Sequence, residues 1–179
     1  MSRTVCNRTE VVPPSNCCIA EFGKRERAIT NVRGFPRQVA QILIVEDFEP
    51  YRAFVASLLR EKSSLRVICE VGDGLRAVEK AQELSPDLIL LDIGLPGLNG
   101  IEAARQVLKL IPESKIIFLT QETSAEVVRE ALDVGARGYV VKSQAGSELL
   151  GAIEAVLQGK RFVSSGLEFS ATDSHGPVR

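Results

Sequence analysis

This 179-residue chain predicts a doubly wound α/β fold, a parallel sheet covered by helices on both faces. Three observations carry that expectation. From Gln41 onward, short apolar runs alternate strictly with stretches of helical periodicity. The runs are apolar at nearly every position, as in strands buried on both faces. Only parallel strands joined by helical crossovers cover such runs on both sides.

The first strand is Ile42-Leu43-Ile44-Val45, and Phe54, Val55, Leu58 and Leu59 follow at helical spacing. Val67-Ile68-Cys69 predicts the second strand, and Leu75, Val78, Ala81 and Leu84 one face of the second helix. Pro86 introduces the third run, Leu88-Ile89-Leu90-Leu91, after which Ile101, Ala104, Val107, Leu108 and Ile111 recur at intervals of three and four. Ile116-Ile117-Phe118-Leu119 precedes a helix with Val127, Val128, Ala131 and Leu132. Tyr139-Val140-Val141 leads into Leu149, Leu150, Ile153, Val156 and Leu157. One domain over residues 41–160 accounts for all ten elements.

The flanks differ in character. Residues 1–40 contain Pro13-Pro14 and seven basic against three acidic side chains without sustained periodicity, and are expected to be a disordered extension. A basic arm toward an acidic partner is the sharper alternative. Residues 161–179 are expected to be a flexible tail, too short for a DNA-reading helix-turn-helix.

Composition excludes several classes. The 22 basic and 23 acidic residues nearly cancel, which gives no support to a nucleic-acid or membrane surface. No run reaches the roughly 20 apolar residues of a membrane span, and no secretory signal opens the chain, so a cytoplasmic location is expected. Cys6, Cys17, Cys18 and Cys69 have neither zinc-ligand spacing nor a disulfide framework and read as free thiols.

In an open parallel sheet, ligands sit beyond the carboxyl ends of the strands. Glu46-Asp47 follows the first strand, Asp92 ends the third, Thr120 ends the fourth and Lys142 follows the fifth. Three gathered carboxylates repel unless a divalent cation and a lysine offset them. Oxygen-only ligands suit Mg²⁺, a hard ion that keeps waters and shares a phosphoryl oxygen. Singly, Glu46-Asp47 could open a helix and Thr120 cap one; jointly, coincidence does not place all five at strand ends.

Several of these segments carry a more specific likeness. They are Ile-Leu-Ile-Val-Glu46-Asp47, Leu-Ile-Leu-Leu-Asp92 with Pro96-Gly97 and Asn99-Gly100, Phe-Leu-Thr120, and Gly138-Tyr139-Val-Val-Lys142. Over residues 41–163 they resemble response-regulator receiver domains of the CheY-like, flavodoxin-like superfamily. Gly135-Ala136-Arg137-Gly138-Tyr139, Lys142-Ser143 and Gly159-Lys160-Arg161-Phe162-Val163-Ser164 resemble the NarL/FixJ subfamily in particular.

The resemblance implies a five-stranded sheet in the order 2-1-3-4-5. It implies Asp92 as phosphoacceptor, taking a phosphoryl group from a histidine kinase, a phosphotransfer protein or a small donor. Asp47 and Asp92 would bind Mg²⁺ directly, Glu46 through water, and the Gly94 carbonyl would complete the site. Lys142 would contact a phosphoryl oxygen, Thr120 would donate its hydroxyl to the new phosphate, and Tyr139 would rotate inward behind it.

Three departures stand out. Gln121 replaces a small residue and is expected to narrow access to Asp92; Gly94 offers no side chain to an attacking water, whereas Glu122 does; and Ser143 replaces proline, so no cis bond is expected there. The resulting expectation is a stand-alone receiver that signals through protein contacts without binding DNA, with dimerisation open. The alternative is a NarL/FixJ-type transcriptional regulator without its DNA-binding domain. An Asp-nucleophile phosphohydrolase is disfavoured because Gly94 stands where a second aspartate is needed. The acidic loop after the first strand disfavours an FMN binder, and His175, the single histidine, lies in the tail.

Overall fold

The structure, a computed structural model, describes residues 39–167 and, ahead of them, a two-residue antiparallel pair, Ile29–Thr30 with Pro36–Arg37. Apart from that pair and residues 39 and 40, of which Ala40 already belongs to the first strand of the sheet, the extension expected over residues 1–40 lies outside the described residues, as do Cys6, Cys17, Cys18 and His175. Cys69 is buried, its Sγ 4.0 Å from the Glu70 carbonyl oxygen.

Ten elements follow in strict alternation. They are β1 (Ala40–Val45), α1 (Glu49–Arg60), β2 (Leu65–Val71), α2 (Gly74–Leu84), β3 (Leu88–Leu91), α3 (Gly100–Leu110), β4 (Lys115–Thr120), α4 (Ala125–Asp133), β5 (Gly138–Val141) and α5 (Ala145–Leu157). The sheet is parallel throughout, in the order β2-β1-β3-β4-β5, as expected. A sixth short strand, β6 (Phe162–Val163), extends it by pairing parallel with β5. The segment expected to begin a free tail thus opens on the sheet edge.

Alternation along β1 sorts the core into two layers. Leu43 and Val45 face α2, α3 and α4 together with Ile89, Leu91, Ile116, Phe118 and Tyr139. Ile42 and Ile44 face α1 and α5 together with Leu88, Leu90, Ile117, Leu119 and Val140. Both sides of the runs in β1, β3, β4 and β5 are therefore dry, which is why they read as continuously apolar, whereas the edge strand β2 keeps Arg66 and Glu70 exposed.

Local chemistry fixes where the helices begin. Asp73 accepts from the Arg76 N–H at 2.8 Å to cap α2, Asn99 from the Glu102 N–H at 2.9 Å to cap α3, and Ser124 from the Val127 N–H at 3.4 Å to cap α4. At α1, Pro50 occupies the first turn and Glu49 faces the helix N-terminus. Leu75 departs from its expected buried face and is 58% exposed. Helix α2 presses its backbone inward at Gly74, where an added Cβ would lie 1.9 Å from the Leu98 carbonyl oxygen, and buries Ala77 and Ala81 instead.

Candidate functional site

Beside β1 lie β2 on one side and β3 on the other, so the chain reverses its direction of winding there, and the carboxyl ends of β1 and β3 open a crevice between them. Glu46 extends β1 by donating its N–H to the Val71 carbonyl at 3.0 Å, and Asp92 extends β3 by donating to the Val45 carbonyl at 3.0 Å. Carboxylate oxygens of Glu46, Asp47 and Asp92 consequently lie within 4.8 Å of one another. Glu46 and Asp92 are buried and Asp47 is exposed, which leaves one side of the cluster open to water.

Lys142, at the end of β5, reaches across this cluster. Its Nζ stands 2.7 Å from Asp92 Oδ2 and 2.7 Å from Glu46 Oε2, with only 11% of the side chain exposed. Asp92 Oδ1 accepts from the Ile93 N–H at 2.7 Å, and Glu46 Oε1 from the Phe48 N–H at 3.2 Å. Burial pushes the Glu46 carboxyl above its usual range despite the hydrogen bond and charge of Lys142. Burial pulls on Lys142 in the opposite sense, but its hydrogen bonds to Asp92 and Glu46 and their charges outweigh it, so the ammonium is held above its ordinary value. Lys142 therefore stays charged at neutral pH.

Gly94 lies beside the acid cluster, where an added Cβ would sit 3.8 Å from Asp92 Oδ2. Thr120 is buried at the end of β4, its Oγ1 accepting from the Glu122 N–H at 3.3 Å. Tyr139 already occupies an inward position: it is fully buried, 6.4 Å from the Phe118 ring, and donates its hydroxyl to the Glu122 carbonyl at 2.9 Å. The Thr120 and Tyr139 side chains thus meet on the two sides of one residue's backbone, a role for Glu122 that the sequence did not suggest. Gln121 is exposed, and the backbone at Lys142–Ser143 is trans.

Two further groups enter from α1. Arg52 donates to the Glu46 carbonyl at 2.5 Å and pairs with Glu70 at 3.6 Å. Tyr51 donates its hydroxyl to the Lys142 carbonyl at 3.3 Å, and its ring centroid lies 5.0 Å from Lys142 Nζ. Sequence reasoning found neither, because helical spacing marks an apolar face but not which polar groups lean over a strand end.

The donor set fits Mg²⁺. It is all oxygen and partly open to water, and a spread within 4.8 Å suits oxygens around an ion bound at about 2.0–2.1 Å. Glu46, Asp47 and Asp92 are the residues able to hold it.

Comparison with known proteins agrees with this geometry. The response regulator receiver domain family matches residues 42–154. Response regulator GacA of Pseudomonas viridiflava is 32% identical over 124 residues, 69% of this chain and 58% of that protein, so the chain spans little more than half of that relative's length. A LuxR-family two-component response regulator from Aurantimonas sp. SI85-9A1 superposes with a TM-score of 0.70 at 32% identity, covering 73% of this chain and 93% of that one. The response regulator domain of Thermotoga maritima CheB gives 0.63 at 32% identity, covering 68% and 98%. A five-stranded parallel core with an acidic cluster and a bridging lysine at its carboxyl edge, joined to a family match over most of the described residues, makes this chain a member of the response regulator receiver domain family.

Proposed function

We propose that this chain is a phosphorylation switch in which Asp92 accepts a phosphoryl group from a histidine kinase, a phosphotransfer protein or a small phosphodonor. The observation that carries the reading is the Lys142 ammonium, held 2.7 Å from Asp92 and joined to Glu46 inside a cluster of three acids.

A carboxyl oxygen of Asp92 attacks phosphorus, the new O–P bond forms as the donor's N–P or O–P bond breaks, and the leaving group keeps the electron pair. Bound Mg²⁺ would supply charge neutralisation at the transferring phosphoryl oxygens. Asp47 and Asp92 would hold it directly, Glu46 through water and Gly94 by its carbonyl. Lys142 moves from Asp92 Oδ2 to a phosphoryl oxygen and offsets the charge that accumulates there.

Thr120 then trades its contact with the Glu122 N–H for the phosphate. Because Tyr139 is tied to the carbonyl of the same residue, movement at Glu122 reaches the Tyr139 ring and the outer face of β4, α4 and β5. The acylphosphate is the chain's own modification, so the protein acts as a signalling phosphoacceptor rather than as an enzyme on a separate substrate.

The signal passes through protein contacts, phosphorylation-dependent pairing of two copies among them. The near balance of 22 basic and 23 acidic residues supports this over contact with a polyanion. Sequence-specific electrophoretic shifts with DNA at physiological salt would instead favour the transcriptional-regulator reading. Among the described residues no helix is long and apolar enough to cross a membrane, which suits a receiver working in the cytoplasm.

Mass spectrometry after incubation with acetyl phosphate and Mg²⁺ tests the central step. Wild type should gain one phosphoryl group and Asp92→Asn none; equal labelling of both would remove Asp92 as acceptor.

A further inference from the structure

We infer that Tyr51 is a positioning residue for Lys142, seating the ammonium against its ring while its hydroxyl ties down the lysine's own backbone. The inference rests on the phosphoacceptor reading and adds a residue to it.

Both ends of Lys142 touch the same side chain. The ring centroid lies 5.0 Å from Nζ, inside the roughly 6 Å range of cation–π attraction. The hydroxyl meets the Lys142 carbonyl at 3.3 Å, long for an O–H···O bond, so the ring contributes the larger share. Tyr51 is itself held in place, packed against the core layer between α1, α5 and the sheet and 5.7 Å from the Phe54 ring. Burial raises its hydroxyl well above the ordinary value, reinforced by the Glu46 and Asp92 charges, so it remains a neutral donor.

The ring matters because of what Lys142 has to do. An ammonium has three N–H donors, and here the two carboxylates take part of that capacity. When a phosphoryl oxygen arrives, the Asp92 contact has to be exchanged for one to phosphate. Attraction to the ring face uses no carboxylate lone pair and persists through the exchange, so it holds the ammonium over Asp92 while its partners change. Leucine at position 51 would fill similar space without the ring's quadrupole.

The test compares the full chain as wild type, Tyr51→Phe and Tyr51→Leu, each labelled by acetyl phosphate with saturating Mg²⁺. Tyr51→Leu should lower the maximal labelling rate about tenfold, equivalent to about 1.4 kcal/mol, with little change in half-saturating acetyl phosphate. Tyr51→Phe should stay within about twofold of wild type because it keeps the ring.

A readout independent of transfer is the ring-current shift of the Lys142 ε-methylene protons in NMR, present in wild type and Tyr51→Phe and lost in Tyr51→Leu. Thermal melts confirm that all three proteins are folded at the assay temperature. A wild-type rate in Tyr51→Leu, or Tyr51→Phe falling as far as Tyr51→Leu, overturns the role of the ring. Failure of the wild type itself to label at Asp92 removes the phosphoacceptor reading and this inference with it, and is thereby distinct from a failure of Tyr51 alone.

Discussion

Lys142 Nζ and Asp92 Oδ2 meet at 2.7 Å across a sequence separation of 50 residues, with the sheet bringing the end of β5 over the end of β3. The same ammonium serves Glu46 at 2.7 Å, so one cation balances two largely buried carboxylates.

Removing that cation is expected to be costly. Lys142→Met should destabilise the domain by about 3 kcal/mol, because it leaves Asp92 and Glu46 buried without their counter-charge. The deficit should depend on pH in a definite sense. Burial already raises the Glu46 carboxyl in the folded state and losing Lys142 raises it further, so the penalty is fully present above its folded value and relieved as pH falls through it. Urea midpoints of wild type and variant should therefore converge between pH 7 and pH 4. A gap that stays constant with pH would show that Lys142 acts by packing alone.

Asp47 offers a cleaner probe of the proposed Mg²⁺ site. It is exposed, unlike Glu46 and Asp92, so Asp47→Asn should leave stability without Mg²⁺ within about 0.5 kcal/mol of wild type. An ion that binds only the folded state adds about 2.7 kcal/mol at a hundredfold excess over its dissociation constant. Wild type should accordingly melt several degrees higher in Mg²⁺, and Asp47→Asn should lose most of that gain. Equal gains in the two proteins would place the ion elsewhere.

Tyr139 should be visible in alkali. Burial pushes its hydroxyl up to about 12, with the charges of Glu122 and Asp92 adding to the rise. A group whose folded value is raised contributes stability in full below the unfolded value, near pH 10, and loses it as pH climbs through the folded value. The loss from Tyr139 should reach about 2 kcal/mol by pH 12, with Lys142, also raised, acting in the same direction. In Tyr139→Phe the fall of the urea midpoint between pH 10 and pH 12 should be shallower. An unchanged slope would mean that Tyr139 ionises as freely in the folded protein as in the unfolded one.

The sheet and its acidic edge were legible in the sequence for one reason. A strand buried on both faces writes an unbroken apolar run, and the first polar residues after it mark where the chain leaves the sheet; Glu46, Asp92, Thr120 and Lys142 stand at those points. Strand β6 was not legible, because two residues flanked by Arg161 and Ser164 make no run, and its pairing rests on long-range hydrogen bonds. Val141 donates its N–H to Ser164 Oγ at 3.0 Å, and Ser164 in turn donates to Glu148 at 2.5 Å, partners 23 and 16 residues apart. Tyr51 and Arg52 escaped for a related reason: α1 periodicity identifies Val55 and Leu59 as core but says nothing of a neighbouring tyrosine reaching Lys142.

Gly100 shows how the Asn99-Gly100 dipeptide serves the site. Asn99 caps α3, and Gly100 donates its N–H to the Ile93 carbonyl at 2.9 Å, bringing the start of the helix against the end of β3. A Cβ at Gly100 would lie 1.9 Å from the Asp92 carbonyl oxygen and 2.8 Å from the Ile93 Cα, both of them backbone atoms that cannot rotate aside. Gly100→Ala must therefore move α3 away from the strand end that carries Asp92, the proposed phosphoacceptor, at a cost of about 1–3 kcal/mol. Gly151, inside α5 with nothing within 4 Å of its added Cβ, provides the control. Gly151→Ala should instead raise stability by up to about 1 kcal/mol, since alanine favours a helix interior. Labelling should separate the two as well, because displacing a reacting group by about 1 Å costs on the order of 100-fold in rate. Gly100→Ala should label far more slowly under conditions where it remains folded, and Gly151→Ala at the wild-type rate. Equal stability and labelling in the two variants would mean that α3 need not press against Asp92 for the strand end to hold its position.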